Sequence, residues 1–224
     1  MRSLRLTALA LVATACMAVT PSPGAAQQGA PSWRDSWFWG AYGGQTSFAT
    51  KIARTYGAPT IGIDWVITRT RFALNVFAEQ SYFNAVSTVT DSPTSADRKV
   101  DIQDMRRVGA AAMFFTPEIS IVKPYVALGY SFDFITQGTP QGNYFASPAS
   151  RDTVLDRVNS ARATGRVMGT LGFTVMARRF APFVQYTVMP TQGAGGFMLN
   201  GQGFTNIWAA GLRYNFGTSI AKNW

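Results

Sequence analysis

Histidine is absent from this 224-residue chain. With it go the commonest general base and the commonest metal-ligating side chain. A single cysteine, Cys16, lies in an apolar stretch near the N-terminus. A chain that loses that stretch has neither disulfides nor thiol chemistry. Charge is scarce as well: 14% of the residues are Asp, Glu, Lys or Arg, against roughly 25% in an average soluble domain. Apolar content is 47%, so the shortage of charge points to a second apolar surface besides a core. Long hydrophobic runs are also missing. Gly, Pro, Arg or Asp interrupts each later apolar run before it reaches the roughly 18 residues that a membrane helix needs. The carboxylates have no EF-hand spacing. "GAGG" at 193–196 lacks the strand–turn–helix setting of a phosphate loop and reads as a flexible loop. No enzyme activity, metal or cofactor is expected from such an inventory.

What is present begins with a leader. "MRSLRLTALALVATACMAV" sets two arginines before an apolar stretch, and "TPSPGAAQQ" follows with small residues at Gly24 and Ala26. This is the pattern of a secretory signal, cleaved after Ala26. The stretch is short for a membrane anchor of about 20 residues. A lipoprotein reading of Cys16 is disfavoured by Ala13, where Leu is expected three residues earlier. The formal charge of +9 calls for an anionic partner. Its bases are scattered over turns and loops rather than gathered in one block, so lipid headgroups fit better than nucleic acid.

The rest of the chain alternates apolar and small or polar residues with period two. Eight segments show it: 37–48, 60–68, 71–83, 102–115, 124–135, 163–176, 182–189 and 204–216. The fifth is typical, with Val126, Leu128, Tyr130, Phe132 and Phe134 on one face. Connections alternate in length. Those at 68–71, 116–124 and 177–182 are short, and those at 49–59, 84–101, 136–162 and 190–203 are long and rich in turn residues. Within the third long connection, "SRDTVLDRVNSAR" carries Val154, Leu155 and Val158 at helical spacing. Both a short helix and an irregular loop are compatible with it.

Segments of about ten residues with long–short connections are the signature of an all-β, eight-stranded antiparallel up-and-down transmembrane β-barrel. In hydrocarbon every backbone N–H and C=O needs an internal partner, so the sheet must close. "WFWGAYGGQTSF" at 37–48 fits that setting. Trp37, Trp39 and Ala41 would face lipid, while Gly40, Tyr42 and Gly44 would face a narrow interior. Residues 27–36 precede the barrel at 37–216, and 217–224 form a tail. Trp37, Trp39, Trp65, Trp208, Tyr214 and Phe216 are the expected lipid-interface aromatics.

"WFWGAYGGQTSF" resembles the first strand of OmpA-like outer-membrane barrels, and "IWAAGLRYNF" resembles their closing strand. The resemblance implies a small barrel in a bacterial outer membrane, reached by export behind the cleaved leader. It also implies partners: outer-membrane lipid and lipopolysaccharide, and the assembly machinery that reads a terminal aromatic on the last strand. Phe216 and Trp224 are the candidates for that aromatic. Catalytic barrels similar in size use a histidine with serine, and the larger proteases of this type a histidine with aspartate. This chain has no histidine.

Strand parity sends six charged residues inward: Asp64, Glu79, Arg107, Asp133, Arg166 and Arg213. Isolated charges in a narrow interior are costly unless paired, so a network of ion pairs is expected. Counting from a turn centred near Ser120 sets Arg107 opposite Asp133, with Glu79 and Arg166 at similar height. Such a network is either a closed plug or a gate whose pairs rearrange. Arg106 would face out near the upper rim, either toward lipopolysaccharide phosphates or into solvent. Arg69, Arg71, Arg178 and Arg179 sit at short turns, facing either headgroups or water. The expected role is structural or surface-exposed, through the outer loops and an unknown surface partner. The alternatives are a small passive pore and a soluble periplasmic lipocalin-like carrier, which would need its apolar face inside.

Overall fold

The computed structural model describes residues 33–53, 55–90, 96–117, 121–142, 148–191, 197–201 and 203–218. The expected leader at 1–26, the "GAGG" stretch and the terminal Trp224 lie outside the described residues. All described residues belong to one compact unit. Eight strands form it: β1 (Ser36–Phe48), β2 (Tyr56–Arg69), β3 (Phe72–Thr90), β4 (Asp97–Phe115), β5 (Val122–Pro140), β6 (Ala163–Val175), β7 (Phe180–Pro190) and β8 (Phe204–Thr218). Each pairs antiparallel with the next, and β8 pairs with β1, closing an up-and-down barrel. Both ends of the described chain lie at the end of the short turns (the turn end), and the longer connections lie at the other (the loop end).

Alternation is visible in every strand. On β1, Phe38 and Tyr42 are buried while Trp37, Trp39 and Ala41 are exposed. On β5, Val126, Leu128, Tyr130, Phe132 and Phe134 are exposed, and Tyr125, Ala127, Ser131 and Asp133 are buried. Apolar side chains thus lie outside and the charges inside, the reverse of a soluble barrel. On β5 the apolar face runs from Val126 to Phe134. Nine residues at about 3.3 Å each, tilted by roughly 40°, span about 23 Å.

Four strands run well beyond the sequence pattern, β2 by beginning at Tyr56 and the other three by more at the loop end. β3, β4 and β5 have 19 residues each, so much of the expected loop at 84–101 and the start of that at 136–162 are strand. A bulge marks where the extension begins. Tyr82 and Phe83 stand against Asp104 alone. Asp104 has a left-handed backbone (φ 51°), and its carboxylate accepts a hydrogen bond from the Phe83 amide at 3.0 Å. Alternation on β4 slips there. Arg107 and Met105 are buried on one side of Asp104, Ile102 and Val100 on the other. Parity carried past Met105 would send Ile102 outward, and the bulge turns it in.

The stretch that left helix and loop both open forms α1 (Pro148–Ser160), whose Val154 and Val158 are buried. At the loop end, Val158 packs with Ile102, Ile135, Val100 and the segment Phe197–Leu199, which folds into the mouth. Asn200 anchors that segment: its amide donates to Thr88 O at 2.8 Å, and its carbonyl accepts from Lys51 N at 3.1 Å. At the turn end, Trp33 enters the barrel against Phe38 and Phe115, with Val66 and Met113 beside it. The polar middle of the interior thus lies between two apolar closures.

Candidate functional site

The site is the middle of the interior, where the six inward charges are all buried. They form two groups. In the first, Glu79, Arg107 and Asp133 are direct register neighbours on β3, β4 and β5. Arg107 Nε donates to Asp133 Oδ1 at 2.6 Å, and its Nη1 donates to Glu79 Oε1. Arg166 on β6 closes on the same aspartate, with Nε at 2.6 Å from Oδ2 and Nη2 on that oxygen as well. Arg166 Nη1 also donates to Thr205 Oγ1 on β8, at 2.8 Å. Glu79 and Arg166, expected at one height, are joined through Arg107 and Asp133 rather than to each other. One four-residue chain of charge crosses from β3 to β6.

The second group skips a strand. Arg213 on β8 and Asp64 on β2 are both register partners of Gly40 on β1. The arginine passes over Gly40 and donates to Asp64 Oδ2 from Nε at 2.9 Å and from Nη2 at 2.6 Å. A Cβ at position 40 would lie 2.7 Å from Arg213 Cγ and would also strike the Asp64 carboxylate. Only glycine leaves that path open. The guanidinium lies over the Phe183 ring, 3.7 Å from its centroid, so part of its desolvation is offset by the π face.

The same device recurs beside the first group. Tyr42 reaches across Gly62 on β2 and donates to Glu79 Oε2 on β3 at 3.0 Å. A Cβ on Gly62 would occupy the space of the phenol. The sequence reading turned Gly40 and Tyr42 inward without setting them between the charges, and it did not name Gly62. Alternation marks an inward glycine, but only the register shows which side chain crosses it. Uncharged groups complete the interior: Thr46, Thr60 and Ser81 bond one another at 2.7 to 3.1 Å, Thr170 bonds Thr187 at 2.8 Å, and Phe77, Met168, Met189 and Ile207 form an apolar cluster.

A cavity of about 20 Å³, lined by Tyr42, Asp64, Asn75, Glu79, Arg107 and Tyr125 among others, admits a single water molecule. Asp64 Oδ1, Asn75 Oδ1 and Arg107 Nη2 are buried without a hydrogen-bond partner in the protein. Among the described residues, three buried bases balance three buried acids. The arrangement can hold strands together and obstruct the bore.

The expected interface aromatics fall at both ends of the outer face. Trp37, Trp39, Trp65, Tyr214 and Phe216 lie toward the turn end, where Trp39 stacks on Trp65 at 5.8 Å and Trp37 meets it edge-on at 5.4 Å. Tyr214 and Trp65 are half-buried by their neighbours. Trp208 lies toward the loop end against Tyr186, 4.5 Å between centroids. Arg106 faces out above the apolar belt, where its Nε donates to Gln80 Oε1 at 3.1 Å. Arg69 pairs with Asp35 at 3.4 Å, both exposed.

Solved structures similar to this chain include two outer-surface proteins of bacteria. Neisserial surface protein A matches with a TM-score of 0.50 and 12% identity, over 80% of this chain and 97% of that one. The outer membrane protein OprG from Pseudomonas aeruginosa matches with a TM-score of 0.47 and 11% identity, over 83% of this chain and 98% of that one. No family model and no curated protein matches the chain. At this identity the likeness to the Neisserial protein is one of fold: the chain is a closed eight-stranded antiparallel barrel.

Proposed function

We propose that this chain is an outer-membrane barrel with a structural or surface-facing role and a plugged lumen. The observation that carries the reading is the buried charge network, which links β3 to β6 and β8 to β2 across the bore. An eight-stranded barrel is about filled by its side chains, and here a cavity among the charges measures about 20 Å³. An outer apolar band of about 23 Å matches the hydrocarbon height that such barrels present. Exposed Trp39, Leu128, Phe132 and Trp208 argue against a soluble carrier, which keeps its apolar side chains inside. In this reading the short turns face the periplasm and the longer connections face outward. Lipid and lipopolysaccharide surround the belt, the assembly machinery engages β8, and a surface partner meets the outer loops. The reading is non-catalytic.

Refolding followed by planar-bilayer recording tests it. Wild type is expected to show a heat-dependent mobility shift in detergent and no steady conductance. The Arg107→Glu variant is expected to lose the folded form or to conduct. A passive pore is the second reading, favoured by the unpaired Arg107 Nη2 and Asp64 Oδ1 beside the cavity, groups able to exchange partners. Steady wild-type conductance would decide for the pore and against the plug.

A further inference from the structure

The outer face at the turn end is not uniform around the barrel. Outward aromatics with a polar tip gather on one side: Trp37 and Trp39 on β1, Trp65 on β2 and Tyr214 on β8. Phe180 and Phe216 extend the patch, each edge-on to Tyr214 at 5.3 and 5.0 Å between centroids. The other side presents Phe72, Phe114 and Phe173, with no outward Trp or Tyr at that end among the described residues. Rings with a polar tip prefer the headgroup level of a bilayer, where one edge is wet and the other is in hydrocarbon.

Two arginines stand at the edge of this patch. Arg178 and Arg179 form the tight connection between β6 and β7, Arg178 with a left-handed backbone (φ 57°). The turn is tied to β8, because Asn215 N donates to Arg179 O at 2.8 Å. Arg179 Nη1 donates to the Tyr214 hydroxyl at 3.4 Å, which lays its guanidinium along the outer aromatic surface rather than over the mouth.

We propose that this corner binds one anionic phospholipid. Its phosphate sits on Arg178 and Arg179, and its acyl chains lie along Phe180, Tyr214, Phe216 and Trp39. The inference rests on the membrane reading given above. Guanidinium groups bind phosphate oxygens through paired charge-assisted hydrogen bonds. The Tyr214 hydroxyl adds a donor at the same height. A zwitterionic lipid offers the same phosphate with an ammonium group beside it, so a net negative headgroup is preferred.

The test uses the full mature chain folded into phosphatidylcholine vesicles doped with a minor fraction of brominated lipid, either phosphatidylglycerol or phosphatidylcholine. Bromine quenches nearby tryptophan, so the ratio of the two quenching curves reads the local enrichment of the anionic lipid. Wild type is expected to favour phosphatidylglycerol by about fivefold or more at low salt, on the attraction of basic residues to anionic lipid. The R178Q/R179Q variant is expected to fall near parity. R151Q/R157Q on α1, with the same loss of charge, is expected to keep the preference. Parity in wild type, or an undiminished preference in R178Q/R179Q, overturns the site. Loss of the preference on adding inorganic phosphate at constant ionic strength would mark a free-phosphate site and overturn the lipid assignment. If the chain shows no heat-dependent mobility shift with phosphatidylcholine alone, the membrane reading itself fails. A normal shift with lipid parity sinks the lipid site alone.

Discussion

The two buried charge groups hold the barrel by different means. Around Arg107 the bonds join adjacent strands, and the arginine has a carboxylate on either side, Glu79 and Asp133. Around Arg213 the bond leaps over β1, and Asp64 is its carboxylate. The first arrangement has redundancy: losing one acid leaves another. The second has reach, because it ties β8 to β2 across the seam where the barrel closes, but it depends on a glycine and on one aspartate. Number and placement of partners, rather than burial, separate the groups, since Arg107 and Arg213 are both almost fully inaccessible.

Substitutions can break or sharpen that contrast. The largest effect is expected from Arg107→Glu, which removes the shared cation and sets three carboxylates side by side. A destabilisation of about 5 kcal/mol or more is expected, read as loss of the heat-shifted folded band during urea titration; a wild-type midpoint would refute the pairing. Asp64→Asn leaves Arg213 with the Phe183 ring and no anion, for an expected loss of about 3–4 kcal/mol in the same titration. Gly40→Ala keeps both charges and blocks the path between them, so about 1–3 kcal/mol is expected from overpacking. Pairing it with Asp64→Asn in a double-mutant cycle should give strong non-additivity, and simple additivity would separate the glycine from the bridge.

The redundant group supplies the smaller effects. Glu79→Gln leaves Arg107 with Asp133, and about 1–2 kcal/mol is expected. If it cost as much as Asp64→Asn, the redundancy would be illusory. Arg106→Gln, on the outer face near Gln80, should change stability by less than about 0.5 kcal/mol. A larger effect, measured in vesicles with and without lipopolysaccharide, would reveal an external ligand for that arginine.

The strands were legible where one face meets a uniform medium. From Trp37 to Ala41, from Val126 to Phe134 and from Leu212 to Phe216, each second residue is apolar or aromatic, and that suffices to identify segment, face and inward charges. The Arg107–Asp133 register followed from counting about a turn, since an antiparallel hairpin has one degree of freedom. The upper halves of β3, β4 and β5 were not legible. "NAVSTVT" and "DRKVDIQ" mix polar residues on both faces, and those stretches are strands because they pair with each other above the bulge. Nor was the inward turn of Phe197–Leu199 legible, because a short apolar run among glycines has no period to read.

By itself the sequence determined the class of architecture, the side of the sheet each residue faces below the bulge, and the balance of charge inside. These are local properties: period two follows from strand geometry, and sidedness follows from the chemistry of one residue and its neighbours. The tertiary structure alone decided which charges meet and which glycines they cross. Arg213 and Asp64 lie 149 positions apart, and their contact exists only because closing the barrel brings β8 beside β1 and sets both residues level with Gly40. Closure and register are properties of the whole sheet, and no local pattern encodes them.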